Sequence, residues 1–388
     1  MTGPGSPSAW RSANRERVLA VLRQRGALPQ AEIVRATGLA SATVSNIVAE
    51  LRDEGLLERR DGSPRAPLYI SQRAGLVVGM DLDHRRLRVL LADQSHTVLG
   101  ERVQELDVDH QAAEAVQRAG EMTDELLAKL GAERSDVVAV GMGLSGPIDP
   151  RTGEVASSTI LPGWVGVRAG DMMGDALGLP VQVDNSANLA ALGEAVWGAA
   201  RGCRHVAYVQ VGTGIGAGLL LEGRVYRGVY GTVGEIGHIV TDPGGALCRC
   251  GSRGCLETVA GLESLVQAAR RQHGPDLDED DLLTLVAAGD IGARRLVSDA
   301  GAAVGAAVAG LCNLLCPERV VIGGQLAAAG QVLLDPLRRS VERDAIERVA
   351  LAVQVVGSEL ADRAETMGAV ALALDADPLD AQSAIPRS

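Results

Sequence analysis

The sequence contains no phenylalanine, and aromatic residues make up only 2% of its 388 residues. Packing must therefore rest on Leu, Val, Ala and Ile, which the 46% hydrophobic content can supply, and the length allows two or three domains. Six cysteines are too few for a disulfide scaffold in a chain of this size and fit a reducing cytosol. The first residues, MTGPGSPSAW, lack the apolar core of a signal peptide. No uncharged run suits a membrane span: the longest, Ala300 to Cys316, is short and rich in Ala and Gly, as a closely packed interior or interface helix would be. These absences lead us to expect a cytoplasmic protein without a membrane partner. Excess positive charge is also missing, since the net charge is −12, but the deficit is uneven. Residues 1–70 hold 10 Arg against 7 Asp and Glu, a balance of +3, and the remainder carries −15. A mildly basic head on an acidic body is the pattern of a DNA-binding domain joined to a sensor.

The most informative stretch runs from Gly231 to Glu257, GTVGEIGHIVTDPGGALCRCGSRGCLE. His238, Cys248, Cys250 and Cys255 offer one imidazole and three thiolates, a common tetrahedral zinc set, and the interspersed glycines let a short loop wrap the ion. The spacing is not that of a zinc finger, so the expectation is a structural Zn2+ loop inside a larger domain. Three cysteines in eight residues with charged neighbours are poor candidates for buried apolar thiols. Glu235 and Glu257 flank the ligands. Both are open to two readings, acceptors for the hydroxyls of a polyol or solvated loop charge.

Along the chain, residues 1–12 are rich in Gly, Pro and Ser and read as a disordered tail. Residues 13–72 then read as a winged helix-turn-helix. Asn14 to Arg25 is amphipathic, Pro29 suits the start of a second helix, and Gly38 turns into a third that Ser41 can cap. Val44, Ile47, Val48 and Leu51 face inward on this third helix. Ser41, Ala42, Thr43, Ser45 and Asn46 form its outer face, with short side chains suited to base edges in a major groove. Two short strands, Leu56 to Arg60 and Leu68 to Ser71, flank a wing in which Arg59, Arg60 and Arg65 are available for phosphates or a minor groove. The expected partner of this head is a double-stranded DNA operator. Beyond residue 75, Leu76–Leu82, Leu87–Asp93 and Val98–Leu106 alternate as a three-stranded meander. A second such unit follows at His205–Val211, Ile215–Leu221 and Val225–Tyr226.

Glu235-Ile-Gly-His238 followed by Cys248-Arg-Cys250-Gly-x-x-Gly-Cys255-x-Glu257 resembles the signature of the ROK family of repressors, open reading frames and kinases, and the resemblance extends from about Gly75 nearly to the C-terminus. It implies an α/β body, residues 75–378, with the duplicated two-lobed actin-like ATPase (ribonuclease H-like) fold. A tail over 379–388 and a hinge near residue 185 complete the expected organisation. In that fold a sugar and a nucleotide share the cleft between lobes. The resemblance places Gly146, Asn185, Ser186, Glu235, His238 and Glu257 near the sugar. Leu161-Pro-Gly-Trp164 is also similar to the family, and Trp164 either stacks on a sugar face or anchors packing.

Three places separate a kinase from a sensor. Family kinases carry Asp-x-Gly-Gly-Thr in the first meander turn, where this chain reads Asp81-Leu-Asp83-His84-Arg85. Side chains replace the glycines that let a backbone approach phosphate, and Asp83 repels it. The matching second loop keeps Gly212, Thr213, Gly214 and Gly216, and Gly323 and Gly324 remain near the family's adenosine motif; tight hairpins need glycine too, so these read as a vestigial nucleotide loop. Family kinases also read Asn-Asp-Ala-Asn, whose aspartate is the general base. Here Asn185-Ser186-Ala187-Asn188 puts a serine at that position. General-base help is worth ~10²–10⁴-fold in rate, and Asp184 lies roughly 6–7 Å back along a strand. The expectation is a non-catalytic sensor: a DNA-binding regulator of carbohydrate metabolism genes, most simply a repressor. It would answer to a sugar or sugar phosphate and act as a homodimer or tetramer. The alternative is an active ATP-dependent sugar kinase with a fused head.

Overall fold

The structure is a computed structural model. It describes residues 7–374 except 60–62, 64, 65, 72, 73, 109 and 157–160, together with the side chains of all described residues except 7–9, 24 and 25. Arg60, Arg65 and the expected tail over 379–388 thus lie outside the described residues. The first helix, α1 (Pro7–Arg25), starts earlier than the expected Asn14 and takes in half of the stretch read as disordered. Proline at a first helical position has its φ preset and lacks only an N–H that a helix start leaves unpaired anyway, so composition alone misjudges this segment. Helices α2 (Gln30–Thr37) and α3 (Ser41–Asp53) follow, separated by Gly38 at φ 67°. Val18, Leu22, Ile33, Val44, Ile47 and Leu51 bury together. The expected Ser41 cap is corrected: Ala40 supplies the extended backbone of the cap position, and Ser41 is the first helical residue, its side chain exposed. Strands β1 (Leu57–Arg59) and β2 (Leu68–Ile70) pair antiparallel as the wing. Leu28 adds a third edge through two backbone hydrogen bonds with Leu68 at 2.9 and 2.8 Å. Arg15 clamps α1 to the end of α3 through a bidentate pair with Glu54.

The body is a duplication. Its first lobe holds β3 (Leu76–Leu82), β4 (Arg86–Asp93), β5 (Val98–Glu105), α4 (Ala112–Leu130), β6 (Val137–Leu144), α5 (Ala169–Leu177) and β7 (Val181–Asn185). The sheet runs β5-β4-β3-β6-β7, antiparallel through the meander and parallel beyond it. Helix α6 (Ser186–Val196) leads to the second lobe, with β8 (Val206–Val211), β9 (Ile215–Leu221) and β10 (Arg224–Val225). Next come α7 (Leu256–Ala260), α8 (Leu262–His273), α9 (Glu279–Ala288), α10 (Ile291–Leu315), β11 (Arg319–Gly323), α11 (Gln331–Asp344), α12 (Glu347–Ala352) and β12 (Gln354–Gly357). The second sheet, β10-β9-β8-β11-β12, repeats the order and directions of the first. The apolar stretch read as Ala300 to Cys316 belongs to the longer α10. By length and composition α10 could cross a membrane, yet half of it is buried in the protein, where Gly301 and Gly305 bring it against Leu333 and Leu337 of α11.

The chain then returns to the first lobe as α13 (Ala364–Leu374). This helix crosses the first sheet and α6 at backbone distance. A Cβ on Gly141 of β6 would stand 2.0 Å from the Ala369 carbonyl oxygen, and one on Gly368 would stand 1.8 Å from that of Leu189. Without phenylalanine the lobes gain cohesion from such close approach, and Trp164 and Tyr208 are the largest fully buried side chains among the described residues. Overpacking a core typically costs about 1–3 kcal/mol. Gly368→Ala should reach at least the upper end of that range and lower the urea midpoint; an unchanged midpoint would show that the crossing has slack.

Candidate ligand cleft and metal loop

The two lobes share a cleft of about 830 Å³. The first lobe contributes the β3–β4 turn, Gly146 and the Asn185–Ser186 corner; the second contributes Glu235, His238 and Glu257. The vestigial loop residues Gly212, Thr213, Gly214, Gly216, Gly323 and Gly324 line the same cleft. All six expected sugar-binding residues therefore reach one cavity.

Ser186 opens α6 and is buried; its hydroxyl donates to Asp81 Oδ1 at 2.6 Å. Where the family signature has a carboxylate, this chain has a hydroxyl already committed to one. Burial pushes the Asp81 carboxyl up to about 7, the Ser186 hydrogen bond opposing the shift. Across from it, burial and then the Asp81 charge push Glu365 up to about 8. Asp184 is engaged elsewhere. Arg227 holds its Oδ2 at 2.7 and 2.6 Å, while the Asn185 amide and the Asn188 side chain donate to its Oδ1. Buried and fully bonded, it lies outside the cleft lining. Asn185 caps α6 through Ala187 N–H and donates to the Gly146 carbonyl, so its side chain fixes the corner as well as lining it.

The β3–β4 turn is closed by its own side chain. The Asp83 carboxylate accepts from the backbone N–H groups of Arg85 and Arg86, each at 2.7 Å. Amides that could cradle an anion are occupied by a carboxylate. His84 is buried here, and desolvation lowers its pKa. The glycine pair at the end of β11 has packing reasons: a Cβ on Gly323 would meet the Tyr208 hydroxyl at 1.9 Å, and Gly324 sits at φ 83°, whereas a Cβ on Gly216 of the second loop would meet nothing within 4 Å.

In the metal loop the ligand atoms of His238, Cys248, Cys250 and Cys255 all lie within 4.8 Å of one another. Cys250 Sγ and Cys255 Sγ are 3.7 Å apart, and Cys248 Sγ is 3.5 Å from His238 Nδ1. Metal–sulfur bonds of ~2.3 Å and a metal–nitrogen bond of ~2.0 Å set tetrahedral edges of roughly 3.8 and 3.5 Å. The set thus fits a tetrahedral ion, with Nδ1 as the histidine ligand. Nε2 is directed toward Glu235, 3.9 Å away. Burial raises the Glu235 pKa, opposed by His238.

Arg249 is a cleft residue that the motif reading missed. It stands between two ligand cysteines, and its guanidinium reaches Glu257 at 2.7 Å. The other Glu257 oxygen accepts from Ile215 N–H at 3.0 Å. The metal loop, α7 and β9 therefore meet at Glu257. The alternation Cys-Arg-Cys was the available signal, because two ligands turned to the ion leave the residue between them free to point elsewhere. Trp164 resolves in favour of packing: it is fully buried in the first-lobe core, with Nε1 3.3 Å from His110 Nε2. In the head, Ser41, Ala42, Ser45 and Asn46 are exposed and Thr43 is half-buried. Gln30 donates to Ser45 Oγ, while Arg59 donates to the Ala66 carbonyl and Gln30 Oε1.

The two repeated sheets, the cleft between them and the Cys3His loop define the class. The sequence profile of the ROK family matches residues 77–376, and the chain belongs to that family. The profile of a domain of unknown function matches residues 12–61. Among relatives, the xylose repressor of Caldicellulosiruptor bescii is 24% identical, over 95% of this chain and 97% of its own. The glucokinase of Thermotoga maritima is 30% identical, over 76% of this chain and 96% of its own. The crystal structure of a ROK family transcriptional regulator, a homologue of the Escherichia coli Mlc protein, superposes with a TM-score of 0.80 at 26% identity, over 94% of this chain and 95% of that one. The body thus has the fold of ROK regulators and kinases, and the similarity to the regulator includes the head.

Removing a large buried aromatic costs about 3–5 kcal/mol. Trp164→Ala should lose stability of that order in urea, and any ligand affinity that remains in the folded fraction should be unchanged. A selective loss of ligand binding at full stability would return Trp164 to the cleft.

Proposed function

We propose that this chain is a sugar-responsive DNA-binding transcriptional regulator, a repressor, whose body binds its effector without transferring phosphate. One observation carries the reading: the base position is Ser186, hydrogen-bonded to Asp81, and the neighbouring Asp184 is locked by Arg227. The head supports it from the other end of the chain, with a three-helix unit presenting Ser45 and Asn46 outward. Similarity to a xylose repressor over nearly the full length is consistent with both.

The effector is a polyol. Gly146, Asn185, Ser186, Glu235, His238 and Glu257 line the pocket that receives it. Asp83, Glu279 and Asp362 line the remainder with Asp81 and Glu365, whose carboxyls burial raises, and these carboxyl groups outnumber the arginines there, of which Arg88 and Arg249 are already paired and Arg86 is the third. That balance favours an uncharged sugar over a sugar phosphate. His238, Cys248, Cys250 and Cys255 hold Zn2+, which supplies loop rigidity and leaves Arg249 and Glu235 aimed at the pocket. Two heads in a homodimer would read two half-sites about one helical turn apart or a multiple of it. The kinase reading keeps one support, the glucokinase relative, and needs a base that the cleft does not provide.

Purified protein should release operator DNA when titrated with one sugar from a panel of aldoses and amino sugars, and should form no ADP from ATP with that sugar. Sugar-dependent ADP formation would replace the sensor with a kinase. Ser186→Asp should remain inactive, because Asp83 still occupies the amides of the phosphate turn. Elemental analysis should find about one zinc per chain, and Cys250→Ser should lower zinc content, melting temperature and sugar affinity together; full stability without metal would refute the zinc assignment. Asn46→Ala should change the preferred base pair at one operator position by about 1–3 kcal/mol, read from a selection on randomised sites.

A further inference from the structure

The head and the body meet at Arg23. This α1 side chain is 9% exposed. Its Nη1 donates to the carbonyl of Leu374 in the last turn of α13 at 3.1 Å, and its Nη2 donates to Gln94 Oε1 at 3.0 Å. Glu16, on the same helix, accepts from Nη1 as well. Gln94 is itself buried in the β4–β5 turn and donates to the carbonyl of Ala74, which packs in the core of the head. Arg23 thus ties the head to the Leu374 carbonyl of α13 from another domain. Two residues further along the turn, His96 has φ 67° and stacks edge-on against Trp197 with centroids 4.5 Å apart. Trp197 closes α6.

The two helices that end at this contact begin in the cleft. Ser186 opens α6, and Glu365 stands at the start of α13; both line the cavity. Each helix has eleven residues, about 16 Å of rigid rod. They cross at Gly368 with no side chain between them, so neither shifts alone. A ligand that moves the Ser186–Asp81–Glu365 corner is therefore one helix length from the groups that hold the head. Atoms at the contact also lack partners: Arg23 Nε and His96 Nδ1 are buried without a hydrogen bond. Such groups are costly when packed and gain when the contact opens, so a contact containing them is poised to separate.

We propose that Arg23 is the positioning residue through which the cleft sets the orientation of the winged head. Docked on α13 and Gln94, it holds the head in one orientation relative to the body, and effector binding changes that orientation by displacing the ends of α6 and α13. This rests on the reading of the chain as a sugar-responsive regulator.

The test compares the full-length parent with Arg23→Ala, Arg23→Lys and Gln94→Ala. The DNA is a fragment selected from genomic DNA by the parent, and the sugar is whichever panel member shifts the parent's melting temperature. Binding of that sugar is measured by calorimetry, DNA affinity by fluorescence anisotropy with and without it, and amide exchange by mass spectrometry. In Arg23→Ala, sugar affinity should stay within twofold of the parent, while the sugar-induced change in DNA affinity should fall at least tenfold. Arg23→Lys, which keeps the cation, should recover part of it, and Gln94→Ala should lose a smaller share. A loss of stability alone would not separate sugar binding from DNA release in this way. If Arg23→Ala releases DNA over the same sugar range and by the same factor as the parent, the assignment is overturned. Should the parent respond to no sugar, the sensor reading fails by itself. Arg23 is then judged by exchange: faster exchange of residues 93–97 and of the last turn of α13 in Arg23→Ala upholds the docking, and unchanged exchange overturns it.

Discussion

The crossing of α6 and α13 is the constraint on which the rest of the body depends. These helices lie between the two sheets. Ala190, Ala191, Ala364 and Ala371 pack with Val206, Tyr208, Leu220 and Val321 of the second sheet. Met367, Val370 and Leu374 pack with Val77, Leu90 and Ala92 of the first. Backbone contact at Gly193 and Gly368 sets how closely the lobes approach, and the lobe separation sets the cleft. Further large aromatic side chains beside Tyr208 and Trp197 would force the sheets apart, and here the absence of phenylalanine meets the abundance of Ala and Gly in one place. Tight packing of small residues yields dispersion contacts and leaves little room for graded deformation, so the layer favours discrete arrangements over continuous ones.

The second constraint is the loop pinned by His238 and three cysteines. A loop of this length with seven glycines from Gly231 to Gly254 would sample many conformations if left free. Four ligands converging on one point remove most of that freedom and direct the residues between them. Arg249 illustrates the gain: its partner Glu257 holds the amide of Ile215, so a single ion bound here would order α7, the start of β9 and one wall of the cleft together. An outer carboxylate beside a ligand histidine, as Glu235 is to His238, also helps fix the orientation of the ring.

How much of this was legible in the sequence follows from what each feature depends on. The meander strands depend on alternation of apolar and polar residues, a local signal, and Leu76–Leu82 and Ile215–Leu221 appear with the anticipated bounds. The ligand set depends on residue type and spacing, again local, and its atoms converge. The start of α1 was misjudged because composition was weighed above the helix-compatible proline at its first position. Trp164 was ambiguous because a loop tryptophan has the same sequence context in a pocket as in a core; only the surrounding Leu and Met side chains of the first lobe decide it. Asp184 and Asp83 were weighed by position along the chain, whereas their roles come from partners, Arg227 and the Arg85 and Arg86 amides, that no local pattern announces. Arg23 is the extreme case, since its partner Leu374 lies near the opposite end of the sequence.

A serine at the position of the family's base and a pocket that binds sugar would be physically compatible, because phosphoryl transfer and binding draw on different interactions. Phosphoryl transfer needs a proton acceptor at the reacting hydroxyl and amides open to phosphate; sugar binding needs neither. Replacing the base by serine removes a carboxylate from a corner that already holds Asp81 and Glu365, both shifted upward by burial and, for Glu365, by its neighbour's charge. A third carboxylate there would raise the cost of ionising all of them. The Ser186 hydroxyl instead donates to Asp81 and relieves part of that cost. The corner is a hydrogen-bonded joint between β3 and α6, with Glu365 at the start of α13 lining the same cavity.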